Sequence, residues 1–410
     1  MFEFSNSEKK QKFEQLFGIT VLIVSIAALY AFGVLGVGRG TGTRLSDFRW
    51  FYTAGQLLLN GQNPYDLEIF SSAFQELTGK ASNLALAYPP QFTPLCMLFA
   101  LFDYGSARMV ITLLNILAVS CLAFLTMRLV TDAESPRPAS FKPVTRWLIP
   151  ALILGNPFTT HLVWLGQVTL IAGALMVGGW YFARRNKPVL AGLLLGCASF
   201  KPQLFILPAL WLLLDGQWEI LAVTAITALI LASYSLLILG PISAIQDWLN
   251  IVSIYQSAPA NTLGSQEVTG LPSALASVGL NMPDAFVLML GAVALTFLFW
   301  LGQSRFCSDD ILGILISIQI GLVYAHNAEI VLLAPVISSL WLHIAHRKKL
   351  LAIAIITMPL MFFPQRFIRP LNMPILNHWR AFLILFAFIS LVFLSWQQKN
   401  SLDRKIISSK

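Results

Sequence analysis

Charged residues are scarce in this chain. They make up 11% of its 410 residues, whereas an ordinary soluble domain carries roughly 25%. Hydrophobic residues account for 57%, and the mean hydropathy is +0.72. A soluble core could not bury so much apolar surface, but a bilayer can cover it. The scarcity of charge therefore excludes an ordinary soluble domain and indicates an integral membrane protein.

The apolar runs also lack the alternation of polar and apolar residues that membrane-barrel strands show. Runs such as 19–36, 285–302 and 381–396 are apolar on every side, which is typical of spanning helices. We find no internal repeat and no low-complexity tract. We therefore predict an all-α, polytopic membrane helical bundle that forms a single domain over residues 1–410.

Cysteine is rare, and its spacing does not suit a metal site. The four cysteines each lie in or beside an apolar run, at Cys96, Cys121, Cys197 and Cys307. We expect buried thiols without a disulfide. The net charge of +8 could suggest nucleic acid, but the basic residues sit in short loops between apolar runs. Such a pattern is typical of topology signals and contact with the lipid bilayer, so we expect no nucleic-acid partner.

About twelve spans are predicted, with 1–15 and 398–410 as cytoplasmic tails and 38–106 as the first external loop. The first apolar run is too long for a signal peptide and is interpreted as an uncleaved span. The predicted spans are 16–37, 107–129, 147–162, 168–183, 188–200, 203–214, 220–240, 283–303, 309–325, 328–345, 350–364 and 379–397.

The segment Tyr88–Phe102 is too short and too rich in proline for a full span of roughly 20 residues. If it does not cross, eighteen of the 27 Lys and Arg residues lie inside and nine outside, as the positive-inside rule requires. If it crossed, the Arg184–Lys187 and His346–Lys349 clusters would both face outward. We therefore predict that this segment is a re-entrant or interfacial helix. The protein would lie in the cell (inner) membrane with both termini on the cytoplasmic side.

The first external loop carries the most informative candidates. Asp47 and Arg49 begin a segment predicted as an amphipathic helix lying in the bilayer surface. Its apolar face would hold Phe48, Phe51, Tyr52, Gly55, Leu58 and Leu59. Asp47 has two interpretations that do not exclude each other, a reactive carboxylate and the N-cap of this helix.

Several short motifs follow along the chain. They are Asn63-Pro64-Tyr65, the stiff turn Tyr88-Pro89-Pro90, Gly166-Gln167 at the outer end of a span, and Lys201-Pro202-Gln203 between two apolar helices. A lysine among apolar helices is costly and is usually functional or paired. Lys201 could therefore bind a lipid phosphate, or it could extend its ammonium group to the membrane surface.

A late turn between two spans holds His326 and Glu329, three residues apart. At that spacing they could share one helix face and act as a pH-sensing pair, a proton relay or a substrate grip. Arg366 and Arg369 follow in the next outward loop. Arginine suits bidentate phosphate contact, and these two could equally anchor lipid headgroups.

Taken in order, these motifs resemble glycosyltransferase family 87, the polyprenol-phosphate-mannose-dependent α-mannosyltransferase-like proteins of the GT-C superfamily. The resemblance covers about residues 40–340. It implies a GT-C bundle that moves a sugar, mannose or a pentose, from a polyprenyl-phosphate donor to an external lipid- or glycan-linked acceptor. It also implies that Asp47 is the catalytic residue. The family's late His-x-Tyr-Asp segment is here His326-Asn-Ala-Glu329, which leaves the acceptor open.

On this hypothesis Asp47 is the general base, and cationic groups stabilise the departing phosphate. The predicted substrate-binding residues are Arg49, Tyr65, Tyr88, Gln167, Lys201, His326, Glu329, Arg366 and Arg369. Because no Asp-x-Asp stands near Asp47, we expect no metal and no cofactor beyond the lipid-linked donor.

Three alternatives remain open at this point. The first is a transporter or flippase of a lipid-linked sugar or small solute. Transporters often have a broken helix in each half of the chain, whereas this sequence has one broken region, near Lys201, and no convincing counterpart. The others are a ligase- or polymerase-like membrane enzyme, which would place its chemistry in a large late loop, and an assembly factor without chemistry.

Overall fold

The computed structural model describes residues 6–37, 45–132, 145–344, 360–361, 363, 367–371 and 373–408. Helix accounts for 79% of it, in agreement with the predicted all-α class. The first half holds α1 (Asn6–Ala28, continued by a π-helical turn over Leu29–Val34), α2 (Ser46–Leu59), α3 (Leu67–Thr78), α4 (Thr93–Ala100), α5 (Tyr104–Thr131), α6 (Thr145–Leu154), α7 (Pro157–Leu165), α8 (Thr169–Ala183), α9 (Pro188–Ala198) and α10 (Pro202–Leu214).

The second half holds α11 (Trp218–Leu239), α12 (Pro241–Ser257), α13 (Leu271–Ala276), α14 (Ala285–Leu301), α15 (Ile311–Leu322), α16 (Ala334–Ile344), α17 (Pro374–Asn377) and α18 (Trp379–Ser408). Two short strands, β1 (Val268–Thr269) and β2 (Ala325–His326), pair antiparallel, with Val268 opposite His326. A 3₁₀-helix over Asn327–Leu333 follows β2 and leads into α16.

The prediction of about twelve spans is not supported in the part of the chain that the structure describes. Five helical segments there are long and apolar enough to cross a membrane, at Lys9–Val34, Tyr104–Thr131, Trp218–Leu239, Asn327–Ile344 and Trp379–Ser401. A sixth span arises if α6 and α7, which are bent by 43° at their break, count as one. The predicted span 350–364 falls mostly outside the described residues.

The shortfall comes from short apolar helices that were counted as spans. At 1.5 Å per residue, the 11 residues of α9 and the 13 of α10 extend about 16 and 20 Å. A hydrocarbon core of roughly 30 Å needs about 20 residues. The eight residues of α4 extend only about 12 Å, a length that suits the predicted re-entrant or interfacial helix.

Glycines allow close helix packing in this bundle. A Cβ at Gly192 or Gly196 of α9 would lie 2.5 Å from the Cβ of Val223 or Thr227 on α11. The four-residue spacing of the two glycines is typical of membrane-helix contacts that rest on small residues. A Cβ at Gly55 of α2 would meet the carbonyl oxygen of Cys96 on α4 at 2.0 Å.

The bend between α6 and α7 has a local cause in the sequence. Asn156 caps α7 by accepting a hydrogen bond from the backbone N–H of Phe158 at 2.8 Å, and Pro157 occupies the first helical position. α7 ends at Gly166, whose φ of +71° favours glycine. A Cβ there would lie 2.7 Å from Leu45 and 2.8 Å from Phe48, so this turn packs directly on the start of α2.

The Gly55 contact gives the first prediction. Gly55→Ala should lower the free energy of unfolding by about 1–3 kcal/mol, because the backbone of α4 must move to admit a methyl group. Gly291→Ala on α14 is the matched control, since nothing lies within 4 Å of that site and alanine favours helix. Thermal unfolding in detergent measures both. Equal midpoints for the two variants would show that α2 and α4 do not pack this closely.

Candidate active site

Asp47 is held at the start of α2 by an unusual backbone turn. Leu45, which precedes the helix, has φ +56° and ψ +32° in the left-handed region, and its N–H donates to the carbonyl of Trp164 at 2.8 Å. A residue other than glycine in this region costs about 1–3 kcal/mol, and such strain often marks functional sites. The turn fixes the start of α2 against the end of α7.

The carboxylate of Asp47 accepts two hydrogen bonds. Gln167 donates from Nε2 to Oδ2 at 2.5 Å, and Ser46 donates from Oγ to Oδ1 at 3.0 Å. The Gln167 Oε1 in turn accepts from the hydroxyl of Tyr88 at 3.1 Å. A chain from Tyr88 through Gln167 therefore orients the carboxylate, and joins the first loop to the turn before α8.

Lys201 is buried, with 5% of its surface exposed. Its Nζ donates to Glu329 Oε1 at 2.6 Å and to Thr169 Oγ1 at 2.7 Å. Glu329 is also buried, at 2% exposed, and its Oε2 accepts from the backbone N–H of His326 at 3.1 Å. Gln203 lies 3.5 Å from Glu329 Oε1. This pair connects the break between α9 and α10 with the late turn.

His326 lies beside this ion pair in a ring of polar groups. The hydroxyls of Tyr255 and Tyr324 lie 3.0 and 3.1 Å from its Nε2. Burial lowers the pKa of His326 below its ordinary value, opposed by the negative charge of Glu329. The imidazole is therefore neutral at pH 7, and its tautomer decides whether Nε2 donates to a tyrosine hydroxyl or accepts from one. Burial also raises the pKa of Tyr255 and Tyr324, which keeps both hydroxyls protonated.

Asp47 and the ion pair of Lys201 and Glu329 are joined through one short stretch of chain, because Gln167 donates to Asp47 and Thr169 accepts from Lys201. Burial raises the pKa of Asp47, while hydrogen bonds from Gln167 and Ser46 and the charges of His326 and Lys201 act in the opposite direction. A carboxylate with a raised pKa can take up a proton, and the buried cation of Lys201 can stabilise an anion beside it.

The structure brings together six of the predicted site residues, namely Asp47, Tyr88, Gln167, Lys201, His326 and Glu329. Arg49 makes no hydrogen bond or ion pair with any described residue. Tyr65 is 2% exposed and lies near Cys96; its hydroxyl has no hydrogen-bond partner among the described side chains and backbone groups. Arg366 falls outside the described residues. Arg369 begins a short 3₁₀-helix over Arg369–Leu371, and its side chain also falls outside them.

Four local expectations need correction. The aromatic face of α2 packs inside the protein, since Phe48, Phe51 and Tyr52 are at most 5% exposed; it does not lie in the bilayer surface. Asp47 is not the N-cap of α2, because the helix begins at Ser46 and Leu45 is its cap.

The other two corrections concern Lys201 and the pair of His326 and Glu329. Lys201 does not extend to the membrane surface, because it is paired with Glu329 inside the bundle. His326 and Glu329 do not share a helix face either. His326 lies in β2, and the 3₁₀-helix that contains Glu329 begins after it.

Sequence reasoning missed Tyr255 and Thr169, and it left Gln203 and Tyr324 out of the site. The last two stand next to motifs that were noticed, in Lys201-Pro202-Gln203 and Tyr324-Ala325-His326, so adjacency was a usable signal. Tyr255 lies 71 residues from His326 in the chain, on a helix without any motif. Only the fold shows that it contacts the site.

Comparison with known proteins gives one match. The family model described as glycosyltransferase family 87 matches residues 86–364. The match includes Tyr88, Gln167, Lys201, His326 and Glu329, and it begins after Asp47. No curated protein and no solved structure matches the chain.

The buried pair gives the second prediction. Lys201→Met leaves Glu329 as a buried charge without its cation, which should lower the free energy of unfolding by about 3–5 kcal/mol. Adding Glu329→Gln to Lys201→Met should restore most of that loss. Arg128→Met is the control for loss of a surface cation, because Arg128 pairs with Asp132 at an exposed site, where pairs contribute about 0–1 kcal/mol. Unfolding midpoints measure all three. A double variant no more stable than Lys201→Met would contradict the pairing.

Proposed function

The chain belongs to glycosyltransferase family 87, and we propose that it moves a sugar from a polyprenyl-phosphate donor to a lipid- or glycan-linked acceptor. The family and the apolar helices support the coarser statement that it is a membrane glycosyltransferase. The observation that carries the finer proposal is the position of Asp47. Its carboxylate is oriented by Gln167 and lies within electrostatic reach of His326 and the buried Lys201.

In the proposed reaction Asp47 is the general base. Its carboxylate takes the proton of the acceptor hydroxyl, the acceptor oxygen bonds to the anomeric carbon, and the bond from that carbon to the phosphate oxygen breaks. The electron pair of the broken bond leaves with the polyprenyl phosphate. Because the acceptor oxygen attacks from the face opposite the phosphate, the configuration at the anomeric carbon inverts. A positioned base typically contributes 10²–10⁴-fold. The phosphate is already a competent leaving group, and no strong acid is required.

Lys201 and His326 are the proposed contacts of the departing phosphate. An ammonium group has three N–H donors, and the described partners of Lys201 take two of them. The third is available for a phosphate oxygen. Glu329 then holds Lys201 in place rather than touching the substrate, which alters the substrate-binding role predicted for it. An approaching phosphate would raise the pKa of His326 and favour its protonated form.

The remaining features of the proposal go beyond the family. They are a GT-C type of bundle, mannose or a pentose as the sugar, activity without a metal or cofactor, a site on the external face of the cell membrane, and cytoplasmic termini. The flippase alternative shares the hydropathy and the buried cation. Family membership favours the transferase.

The base role gives the third prediction. Asp47→Asn should lower turnover by about 10²–10⁴-fold, because an amide cannot accept the acceptor proton. The assay follows labelled sugar from polyprenyl-phosphate mannose and polyprenyl-phosphate pentose into a host membrane extract, with purified protein in liposomes. Asp66→Asn is the matched control, since Asp66 caps α3 and asparagine caps helices equally well. Near-normal turnover in Asp47→Asn would reject Asp47 as the base.

The fourth prediction concerns pH. A base works only when deprotonated, so turnover should fall as the pH falls through the pKa of Asp47, which burial places above its ordinary value. Gln167→Leu removes a hydrogen bond that lowers this pKa. The acid limb of the kcat profile should therefore move to higher pH. In Gln203→Leu, which leaves Asp47 untouched, the limb should stay in place. Superimposable acid limbs for Gln167→Leu and the parent protein would argue against titration of Asp47.

A further inference from the structure

The helix α12 (Pro241–Ser257) joins separate parts of the site. Asp247 Oδ2 accepts from Asn63 Nδ2 at 2.7 Å, Trp248 Nε1 donates to the carbonyl of Ala87 at 3.3 Å, and Tyr255 reaches His326. Asn63 and Ala87 belong to the first loop, whereas His326 belongs to the late turn. One side of α12 therefore holds both halves of the site together.

A second side of α12 is apolar and is left uncovered by the described part of the protein. Ile242, Ile245 and Leu249 are 72%, 45% and 52% exposed. Their spacing of three and four residues places them on one stripe of the helix. Val252 extends this stripe, and Gln256 interrupts it near the C-terminal end. An exposed apolar stripe of this kind marks a contact with a membrane or another protein.

A third side of α12 is polar and exposed. At 100° per residue it lies between the apolar stripe and the protein side, and its members are Ser243, Gln246, Asn250, Ser253 and Ser257. With the exception of Ile254, which is 39% exposed beside the polar side, each kind of residue keeps to its own side along several turns. A helix with a protein side, an apolar side and a polar side fits one position, at the boundary between bilayer and water.

The neighbouring span indicates what covers the apolar stripe. α11 (Trp218–Leu239) is long and apolar enough to cross a membrane, and it exposes Leu229, Ile230 and Leu237, the last at 84%. α12 follows it after a single residue, Gly240, whose φ is +82°. The stripe thus begins with Ile242, five residues after the exposed Leu237 of α11. A hydrocarbon surface is therefore the partner that this continuity favours.

We propose that α12 lies along the bilayer surface on the side of the site, with Ile242, Ile245 and Leu249 in the hydrocarbon boundary, and that this contact holds Tyr255 against His326. Asp247 is the one charged residue of α12, and it faces Asn63. Insertion therefore depends on apolar area and not on anionic headgroups. This position does not require the proposed sugar transfer; only the effect on turnover rests on that function.

Depth measurement tests the position directly. Single nitroxide labels are placed at Ile245→Cys, Leu249→Cys, Gln246→Cys and Asn250→Cys of the full chain, with the exposed Cys121 replaced by serine, in phosphatidylcholine liposomes. Collisions with molecular oxygen, which dissolves in hydrocarbon, should enhance the spin relaxation of the labels at 245 and 249. Collisions with a water-soluble nickel chelate should enhance the spin relaxation of the labels at 246 and 250. Nickel access at all four positions would overturn the proposal, and so would spin–spin broadening at 245 and 249, which would indicate a second copy of the chain.

Two further measurements test whether insertion depends on anionic lipid and whether it affects turnover. The same depth pattern should appear in liposomes that contain phosphatidylglycerol, since α12 carries no cation; a pattern that requires the anionic lipid would overturn insertion by apolar area. Leu249→Glu should lower turnover several-fold in liposomes, whereas Gln246→Glu on the polar side should not. Equal turnover in the two glutamate variants would reject the coupling to Tyr255. If the parent protein transferred no sugar, the depth pattern would still decide the position of α12.

Discussion

The ion pair between Lys201 and Glu329 is the constraint on which the site depends. Moving two charges from water into an apolar bundle is expensive, and their attraction offsets the cost only if both are well hydrogen-bonded. Thr169 and the backbone of His326 supply those bonds. The requirement fixes three distant pieces of chain relative to one another: the break before α10, the start of α8 and the late turn. His326 is positioned as a consequence, because its backbone N–H bonds to Glu329.

Asp47 reaches this centre through a second set of constraints, which act on the backbone. The left-handed turn at Leu45, the contact of Gly166 with Leu45 and Phe48, and the close approach of Gly55 to α4 leave little freedom for the first turn of α2. Gln167 then bonds the carboxylate directly. The proposed base comes from the first loop and the cation from the middle of the chain, and both are held by groups that do not react. Such preorganisation is what a transferase needs, since it keeps reactive groups oriented before the substrate arrives.

Sequence reasoning found the class of protein because scarcity of charge and long apolar runs are properties of composition. It also found six residues of the site, because each stands in a short motif. It could not find the bond between Lys201 and Glu329, which lie 128 residues apart, or the contact of Tyr255. Hydropathy counted more spans than the structure supports, mainly because α8, α9, α10 and α14 are apolar but have only 10–17 residues. The face of α2 was misplaced for a similar reason. An amphipathic pattern shows that one side is apolar, but lipid and protein interior satisfy it equally.

The most direct test of the account is a measured structure of the protein with a non-transferable polyprenyl-phosphate sugar analogue bound. The account predicts that the phosphate lies within hydrogen-bond distance of Lys201 Nζ and the His326 ring, with the anomeric carbon facing a hydroxyl-sized space beside the Asp47 carboxylate. A phosphate bound elsewhere, with the pair of Lys201 and Glu329 closed and Asp47 remote from the sugar, would contradict it.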